Sequence, residues 1–264
     1  MAEPALDHEE FEQRMLLLMP DDVDYASLRY HTERSEHLSV RDSVVQPVRC
    51  GMEAGLMVTV WDRAGAGYAA TSDLSDDGVR AALARARRWA RQTAGQTVLD
   101  DSPLGHPVGD YCSPVQHSFS DTSLRERIEL LVAQEVRLRR DDRIVDTEAS
   151  LARVDIDSLV LTNNDGRVAP RFHNVFPNLR VTANVGANTQ TRTYGGGAYC
   201  GQGGLEVLDR FGFGTAAERV ADQAPRVGPH RPSAPWPACR ASHRSRRTRP
   251  GSAEVRGSGV APTA

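Results

Sequence analysis

Alternating apolar and polar residues dominate the first quarter of the chain and predict β-strands. The clearest alternation lies in Leu56–Trp61, where one side of an extended segment would be apolar. Pro47 falls inside another predicted strand, which therefore belongs at a sheet edge or carries a bulge. The predicted elements of this region are a short helix from about Ala5 to Leu18 and the strands Tyr25–Thr32, His37–Asp42, Val44–Cys50, Leu56–Trp61 and Tyr68–Thr71.

Two longer segments carry the period of amphipathic helices. The first begins after Ser75, a good N-cap residue, and is expected to end near Gly95. The second spans about Ser123 to Arg140 and opens on a capping box completed by Glu126. The first helix has an apolar stripe of Val79, Ala82, Leu83, Ala86 and Ala90, and the second has a predicted buried stripe of Leu124, Ile128, Leu131, Val132 and Val136.

The rest of the first 224 residues returns to loops and strands. Prolines and glycines predict a loop at residues 100–117. Asn163–Gly166 is a strong hairpin signal, with Val168–Val175 as the return strand. The remaining predicted elements are a strand from Arg180 to Val185, the glycine-rich residues 195–204 and a last helix from about Thr215 that Pro225 ends. Because strands occur in consecutive groups, an α+β fold is favoured over a doubly wound sheet.

The apolar pattern stops at Pro225. Residues 225–264 hold seven of the 15 prolines and carry 8 arginines against one acid, whereas residues 1–224 carry 24 arginines against 34 acids. We therefore divide the chain into an α+β region, 1–224, and a Pro/Arg-rich tail, 225–264, that is predicted to be disordered. All 32 basic residues are arginines. Since GC-rich codons read out of frame encode mainly Pro, Arg, Ala, Gly and Ser, the tail is interpreted as an out-of-frame product. A basic arm that binds nucleic acid is the alternative.

Nothing in the composition favours a secreted or membrane protein. The N-terminal residues are acidic, without a basic segment followed by an apolar one, and no apolar run approaches the roughly 20 residues of a membrane span. The four cysteines (Cys50, Cys112, Cys200 and Cys239) lie far apart and form no CxxC pair, which indicates reduced thiols. We therefore expect a cytoplasmic protein.

The sequence contains no recognisable catalytic or metal-binding motif, so no catalytic or metal residue is predicted. Gly65–Ala70 fits the dinucleotide pattern GxGxxG/A, but no βαβ unit follows it, and a hairpin turn is preferred. His8 could open an HExxH zinc motif, but Glu12 stands where its second histidine should be. Asp155 and Asp157 would share one side of a strand like a catalytic pair, although solvated surface carboxylates are the commoner case.

Gly195, Gly196 and Gly197 form the candidate binding element of the sequence. Glycines allow another backbone to approach closely. This cluster could therefore contact the strand of a bound peptide, or it could form only a loose hairpin. We retain it as a candidate peptide contact.

Several segments of the chain resemble the TldD/PmbA family. The resemblance is carried by Tyr25–Tyr30, Glu36–Arg41, Glu53–Leu56 and most strongly by Gly67–Ser75 with the Ala/Arg-rich helix after it. The hairpin at Asn164–Gly166 and the glycine-rich Tyr194–Gly204 are also similar, so that the resemblance covers about residues 20–224.

This resemblance implies the N-terminal α+β domain of a zinc metallopeptidase that acts on unfolded peptides and works as a homo- or heterodimer. In the family, an HExxxH helix that opens the C-terminal domain binds the zinc. In this sequence the Pro/Arg-rich tail stands in that place, so we expect no cofactor in this chain and no activity from it alone, with zinc expected in a full-length family member. The alternative is a non-catalytic peptide-binding or partner subunit. Neither a membrane nor nucleic acid is an expected partner.

Overall fold

The computed structural model describes residues 8–96 and 104–226, which fold into five α-helices, a 3₁₀ turn and nine strands. The predicted α+β class is confirmed. The helices are α1 (His8–Leu18), α2 (Asp76–Gln92), α3 (Leu124–Leu138), α4 (Glu206–Arg210) and α5 (Phe213–Gln223), with the 3₁₀ turn at Phe119–Asp121. The strands are β1 (Tyr25–Arg41), β2 (Val44–Val45), β3 (Arg49–Asp62), β4 (Gly65–Thr71), β5 (Val108–Cys112), β6 (Ile144–Thr162), β7 (Arg167–Val185), β8 (Asn188–Tyr194) and β9 (Gly201–Gln202).

All nine strands of the described ranges belong to one sheet. Its order is β4-β3-β1-β6-β7-β5, with β2 paired to β1 and both β8 and β9 paired to β7. Every pair is antiparallel except β5 with β7. The three central strands are very long, with 17 residues in β1 and 19 in each of β6 and β7.

The strands are longer and more numerous than predicted. The predicted pair Tyr25–Thr32 and His37–Asp42 is one continuous strand, β1, and β7 likewise joins Val168–Val175 to Arg180–Val185. The polar residues 33–36 of β1 and the Pro177-containing residues 176–179 of β7 both keep their backbone pairing, so the predicted interruptions are wrong. The loop predicted at 100–117 contains β5, and β8 has no counterpart among the predicted elements.

The predicted strand Val44–Cys50, expected to lie at an edge or to carry a bulge, is interrupted around Pro47. Only Val44 and Val45 of the predicted strand Val44–Cys50 pair as β2, and the chain leaves the ladder before β3 begins at Arg49. Proline lacks the N–H that the ladder requires, which explains the interruption.

Buried side chains alternate along β1, β6 and β7, so the core lies on one face of the sheet. Two hydrophobic clusters occupy opposite ends of this face. The first cluster, under α1 and α2, includes Phe11, Met15, Leu28, Tyr30, Leu56, Val58, Val60, Leu159 and Leu161. The second cluster, under α3, α4 and α5, includes Leu38, Val40, Leu131, Leu138, Leu151, Val175, Leu179, Val181 and Phe213. We call this side of the sheet the helix face and the opposite side the bare face. Of the β1, β6 and β7 residues in the two clusters, only the partly buried Ile144 at the start of β6 belongs to the bare face.

Helix α2 forms as the sequence predicts. The Ser75 hydroxyl accepts a hydrogen bond from the Gly78 N–H at 3.2 Å, and the predicted apolar stripe is buried. Thr93 is the C-cap residue, and Gly95 follows two positions later with φ of 70°. Gly95 therefore lies at C″, one position beyond the C′ position that the sequence suggested for it.

The glycines before α2 allow this helix to pack closely on β4. The hairpin interpretation of Gly65–Ala70 is confirmed, but the turn itself lies at Arg63 and Ala64, which have φ of 53° and 55°. A Cβ on Gly67 would lie 2.1 Å from the Ala86 carbonyl oxygen. The GxG pattern thus serves the contact between helix and strand.

Helix α3 has its predicted capping box and nearly its predicted bounds, but the prediction placed the wrong side of the helix in the core. Leu131 is buried as expected, whereas Leu124, Val132 and Val136 are exposed, and Glu135 is fully buried instead. Glu135 accepts hydrogen bonds from the Ser43 N–H at 3.1 Å and the Arg139 Nε at 2.9 Å, and also bonds the Thr147 hydroxyl. These buried polar contacts fix the rotation of the helix.

The ends of the chain are only partly described. Helix α1 ends at Leu18 and α5 at Gln223, close to the predicted ends before Pro20 and Pro225. The predicted start of the first helix at Ala5 lies outside the described residues, as does the predicted tail from residue 227 onward. The cysteines of the described ranges, Cys50, Cys112 and Cys200, are free thiols. None of the described helices has the length and apolar character needed to cross a membrane.

The Gly67 contact gives a direct test of this packing. Replacing Gly67 with alanine forces α2 and β4 apart, and we expect a loss of about 1–3 kcal/mol in the free energy of unfolding. Gly214→Ala in α5 is the control, because no atom lies within 4 Å of the added Cβ. Urea denaturation measures both. Equal stability of the two variants would contradict the close contact.

Candidate functional site

A band of charged residues crosses the middle of the helix face between the two clusters. The strand register sets Arg34 of β1 opposite Asp155 of β6, and Asp155 opposite His173 of β7. We call this band the central belt; its members are Arg34, Glu36, Arg153, Asp155, Asp157, Arg171 and His173. Most of these side chains are half-buried, so the belt is the floor of a cleft rather than a free surface.

Opposite charges are paired along the belt. The Asp155 carboxylate lies 2.8 Å from the Nδ1 atom of His173 and also contacts the Arg153 guanidinium. Asp157 lies 3.6 Å from the Nε atom of Arg171. Asp155 and Asp157 share one side of a strand as predicted, but each faces its own cation. This pairing favours a structural role over a catalytic carboxylate pair.

A cavity of about 270 Å³ opens above the belt. Its lining residues are Val115, Ser118, Phe119, Arg153, Asp155, His173, Gly203 and Gly204. The Arg153 guanidinium lies 5.3 Å from the centre of the Phe119 ring, a cation–π contact that holds the cation at the wall. An imidazole oriented by a carboxylate beside a guanidinium can bind a small polar or anionic group. Spacing alone did not reveal this arrangement, because His173 and Asp155 lie on different strands.

Glu206 fixes the loop of Gly203 and Gly204, which lines this cavity. Its carboxylate accepts hydrogen bonds from the Gly204 N–H at 2.8 Å and the His117 N–H at 3.0 Å, joining two loops at the start of α4. Burial by itself raises the pKa of Glu206, but backbone N–H groups, those of Gly204 and His117 foremost, outweigh it and lower the pKa to about 2. The folded protein therefore holds Glu206 as a carboxylate.

A second, wider groove of about 550 Å³ lies on the bare face near β4. Arg29, His31, Glu33 and Glu53 supply its charged lining. The Nδ1 atom of His31 lies 2.8 Å from the Ser158 hydroxyl, which fixes one side of the ring. The groove carries two carboxylates and one guanidinium beside this imidazole.

The glycines predicted as a peptide contact lie in the turn between β8 and β9. Gly196 has φ of 76°, and its carbonyl accepts a hydrogen bond from the Tyr199 N–H at 3.0 Å. A Cβ on Gly195 would lie 2.3 Å from the Asn178 side-chain oxygen, whereas Gly197 has open space around it. A role of Gly195, Gly196 and Gly197 in peptide binding stays a prediction.

Metal ligands are not brought together in the residues 8–96 and 104–226. Within these ranges no group of three or more His, Cys, Asp or Glu side chains could hold a metal ion. The His173–Asp155 pair lacks a third ligand of that kind.

Residues 26–90 match the family model of domain 1 of the PmbA/TldA metallopeptidases. The predicted relationship to the TldD/PmbA family is confirmed. The matched residues run from β1 through β3 and β4 into α2 and include Gly67. They correspond to the segments in which the sequence resembled the TldD/PmbA family most strongly.

Three solved structures share the fold of this chain. The chain is similar to a proposed modulator of DNA gyrase from Bacteroides thetaiotaomicron, with a TM-score of 0.61 at 14% identity over 78% of this chain and 50% of that one. It is also similar to a proposed gyrase modulator from Thermotoga maritima, with a TM-score of 0.57 at 14% identity over 82% and 46%. For TldE from Thermococcus kodakarensis the TM-score is 0.55 at 13% identity over 81% and 46%. The chain thus spans about half the length of these proteins. No curated protein matches this chain in sequence.

Glu206 provides a pH-dependent test of the loops around the cavity. Glu206→Gln sets an amide N–H₂ against a backbone donor, and we expect a loss of about 1–3 kcal/mol in unfolding free energy at pH 7. Because folding lowers this pKa from 4.5 to about 2, the carboxylate stabilises the fold fully above about pH 5 and loses this effect as the pH falls toward 2.

The difference between wild type and Glu206→Gln should therefore shrink as the pH is lowered. Urea unfolding between pH 7 and pH 2.5 measures it. A gap that stays constant over this range would show that the Glu206 charge is not what holds these loops.

Proposed function

We propose that this chain serves as the N-terminal part of a TldD/PmbA-type zinc metallopeptidase that acts on unfolded peptides, and that it is inactive by itself. The match of residues 26–90 to domain 1 of these metallopeptidases carries the proposal. The matched part of this chain spans only about half of each similar structure, and in the proposal the other half holds zinc and performs hydrolysis. The described part of this chain contributes a scaffold and the cleft over the central belt.

The bare face of the sheet supports this assignment. It carries an apolar row of half-buried or exposed side chains, namely Val154, Ile156, Val160, Val168, Phe172 and Phe176. Tyr111 of β5 extends the row, with its ring centre 5.3 Å from that of Phe172. An apolar strip of this kind is typical of a surface that another domain or subunit covers. In the proposed assembly the second half of the metallopeptidase packs here.

The proposal is tested with the purified 264-residue chain. Zinc content is measured by mass spectrometry after dialysis against zinc, and cleavage is followed on a fluorescently labelled, reduced and unfolded casein. We expect no stoichiometric zinc and no cleavage, because the described residues bring no metal ligands together. Stoichiometric zinc with cleavage that a chelator abolishes would contradict inactivity of this chain.

A non-catalytic peptide-binding or partner subunit is the second candidate function. The similarity in fold to TldE from Thermococcus kodakarensis supports this candidate. This function predicts that the chain binds unfolded casein, or a full-length TldD/PmbA-type peptidase, without being required for zinc binding. Fluorescence anisotropy with labelled casein and co-purification with such a peptidase separate the two candidates.

The exposure of the bare face has a consequence for the isolated chain. Phe176→Arg places a charge on the apolar strip and should reduce binding of the dye ANS and light scattering at high concentration. The free energy of unfolding should change by no more than about 0.5 kcal/mol, because the side chain is already exposed.

Leu17→Arg on α1 is the matched control, since Leu17 is exposed but lies away from the strip. Dye fluorescence and static light scattering are the measurements. If both variants reduce ANS binding equally, the bare face is not the principal apolar surface.

A further inference from the structure

A cavity of about 340 Å³ lies between the 3₁₀ turn and the helices α3, α4 and α5. We call it the α3–α5 cavity. It is distinct from the cavity above the central belt, because the two share only Ser118 among their lining residues. Its volume falls within the range of pockets that hold small organic molecules. Neither proposed function assigns it a role.

The walls of the α3–α5 cavity are fixed by hydrogen bonds. The Arg127 Nη1 atom donates to the carbonyls of Phe119 at 2.7 Å and Thr122 at 3.0 Å, which ties the 3₁₀ turn to α3. On another side the Leu205 N–H donates to the His117 carbonyl at 2.8 Å. A pocket whose walls are already ordered loses little conformational entropy when a ligand binds. The fold therefore presents a preformed site.

The floor of the α3–α5 cavity is apolar apart from one amide. Leu208 and Phe213 are buried, and the half-buried Leu130 and Leu205 extend the apolar surface. Gln134 is only 6% exposed, and its Oε1 atom has no hydrogen-bond partner within the described part of the chain. A buried polar atom without a partner is unfavourable. Because rotation of the side chain exchanges the two ends of the amide, Gln134 can offer a ligand either an acceptor or a donor.

The rim of the α3–α5 cavity is acidic. Asp121 of the 3₁₀ turn and Asp209 of α4 line it, and both are exposed. One Asp121 oxygen accepts a hydrogen bond from the Ser118 N–H at 3.1 Å, and neither carboxylate forms an ion pair with another described residue. His117 is the remaining titratable group of the lining. Two carboxylates at one opening attract a cation.

Two arginines lie close to this rim without lining the cavity. Arg210 follows Asp209 in α4, but its Nη1 atom donates to the Gln202 carbonyl at 3.2 Å. Arg137 donates to the carbonyl of the rim residue Gly214 at 2.6 Å. Neither guanidinium is among the groups that line the cavity. A cationic ligand therefore meets the carboxylates without a competing cation in the lining.

We propose that the α3–α5 cavity binds a small amine whose apolar body carries a hydroxyl group at its far end. The ammonium group lies at the rim, where Asp121 and Asp209 accept charge-assisted hydrogen bonds. The apolar body packs against Leu208 and Phe213. The hydroxyl reaches the floor and bonds the amide of Gln134, which gains the partner that the described part of the chain does not provide.

Three related compounds test this assignment with the purified 264-residue chain. Tyramine has all three groups, whereas phenethylamine lacks the hydroxyl and para-ethylphenol lacks the ammonium. Isothermal titration calorimetry at low salt should give tyramine a Kd of about 1 mM or tighter, and the other two should bind at least about fivefold more weakly. Absence of tyramine binding would overturn the proposal, and so would equal affinity for tyramine and para-ethylphenol.

Asp209→Asn tests the acidic rim. The Asp209 side chain makes no hydrogen bond within the described part of the chain, so we expect the variant to fold like wild type. Tyramine should bind about fivefold more weakly, whereas the affinity for para-ethylphenol should not change, because only the ammonium meets the rim. Asp142→Asn removes the same charge from an exposed position outside the cavity and should leave both affinities unchanged. An equal loss of tyramine binding in both variants would overturn the role of the rim.

Gln134→Leu tests the floor of the cavity. It removes the unpartnered amide at similar volume, so the unliganded variant should unfold at the same temperature as wild type or higher. Tyramine should bind the variant only as well as phenethylamine does, whereas phenethylamine should keep its wild-type affinity, which also shows that the cavity is intact. A variant that binds tyramine as tightly as wild type would contradict the contact with Gln134.

A peptide that begins with tyrosine carries the same ammonium and phenol groups as tyramine. Titration with the tripeptide Tyr-Gly-Gly separates the two sources, and we expect it to bind more weakly than tyramine. Tighter binding of the tripeptide would overturn the assignment to a free amine and give the cavity to peptide N-termini. Since none of these measurements involves zinc or peptide cleavage, the proposal can fail while the proposed function stands.

Discussion

Continuous pairing of β1, β6 and β7 is the constraint on which the rest of the structure depends. Strand β6 has 19 residues and spans about 60 Å, whereas α2 has 17 residues and spans only about 25 Å. One helix layer therefore cannot cover the strands from end to end. Two hydrophobic clusters form instead, and the strand centres between them carry charge. Because the register of β1 with β6 is unbroken from Ser27 to Arg41, both clusters fall on the same face.

The same alternation defines the other surfaces. Because side chains alternate along a strand, the neighbours of each core residue of β1, β6 and β7 lie on the bare face. No described helix covers this face. The central belt and its cavity lie where the helix layers separate, and the ion pairs of Asp155 and Asp157 neutralise charges that are partly withdrawn from water. The unpaired half of β3 arises because β4 is only seven residues long. Helices thus cover the core on the helix face, whereas no described helix covers the bare face and no described strand pairs with the outer side of half of β3.

Local signals predicted the parts of this fold that depend on neighbouring residues. Ser75, the apolar stripe of α2, the capping box at Ser123 and the hairpin at Asn163–Gly166 follow from side chains a few positions apart. The resemblance to the TldD/PmbA family lies in the same well-patterned segments. These features depend on residues close together in the chain, so local sequence patterns are enough to predict them.

Long-range pairing could not be predicted in the same way. The polar centre of β1 and the Pro177-containing segment of β7 suggested interruptions, but both segments are held in the sheet by pairing with β6, which lies far away in the sequence. The buried side of α3 was assigned by hydrophobicity, but Glu135 is buried by contacts with Ser43 and Thr147, which lie far along the chain. The His173–Asp155 pair and the unpaired edge of β3 likewise depend on sheet order.

In the proposed function this sheet is the N-terminal part of a metallopeptidase. A chimera tests it most directly, with residues 8–226 of this chain replacing the corresponding half of a full-length TldD/PmbA-type peptidase. The covalent link makes the result independent of weak association between separate halves. We predict a folded chimera that binds zinc and cleaves unfolded casein in a chelator-sensitive reaction. A chimera that folds and binds zinc but cleaves no peptide would contradict the claim.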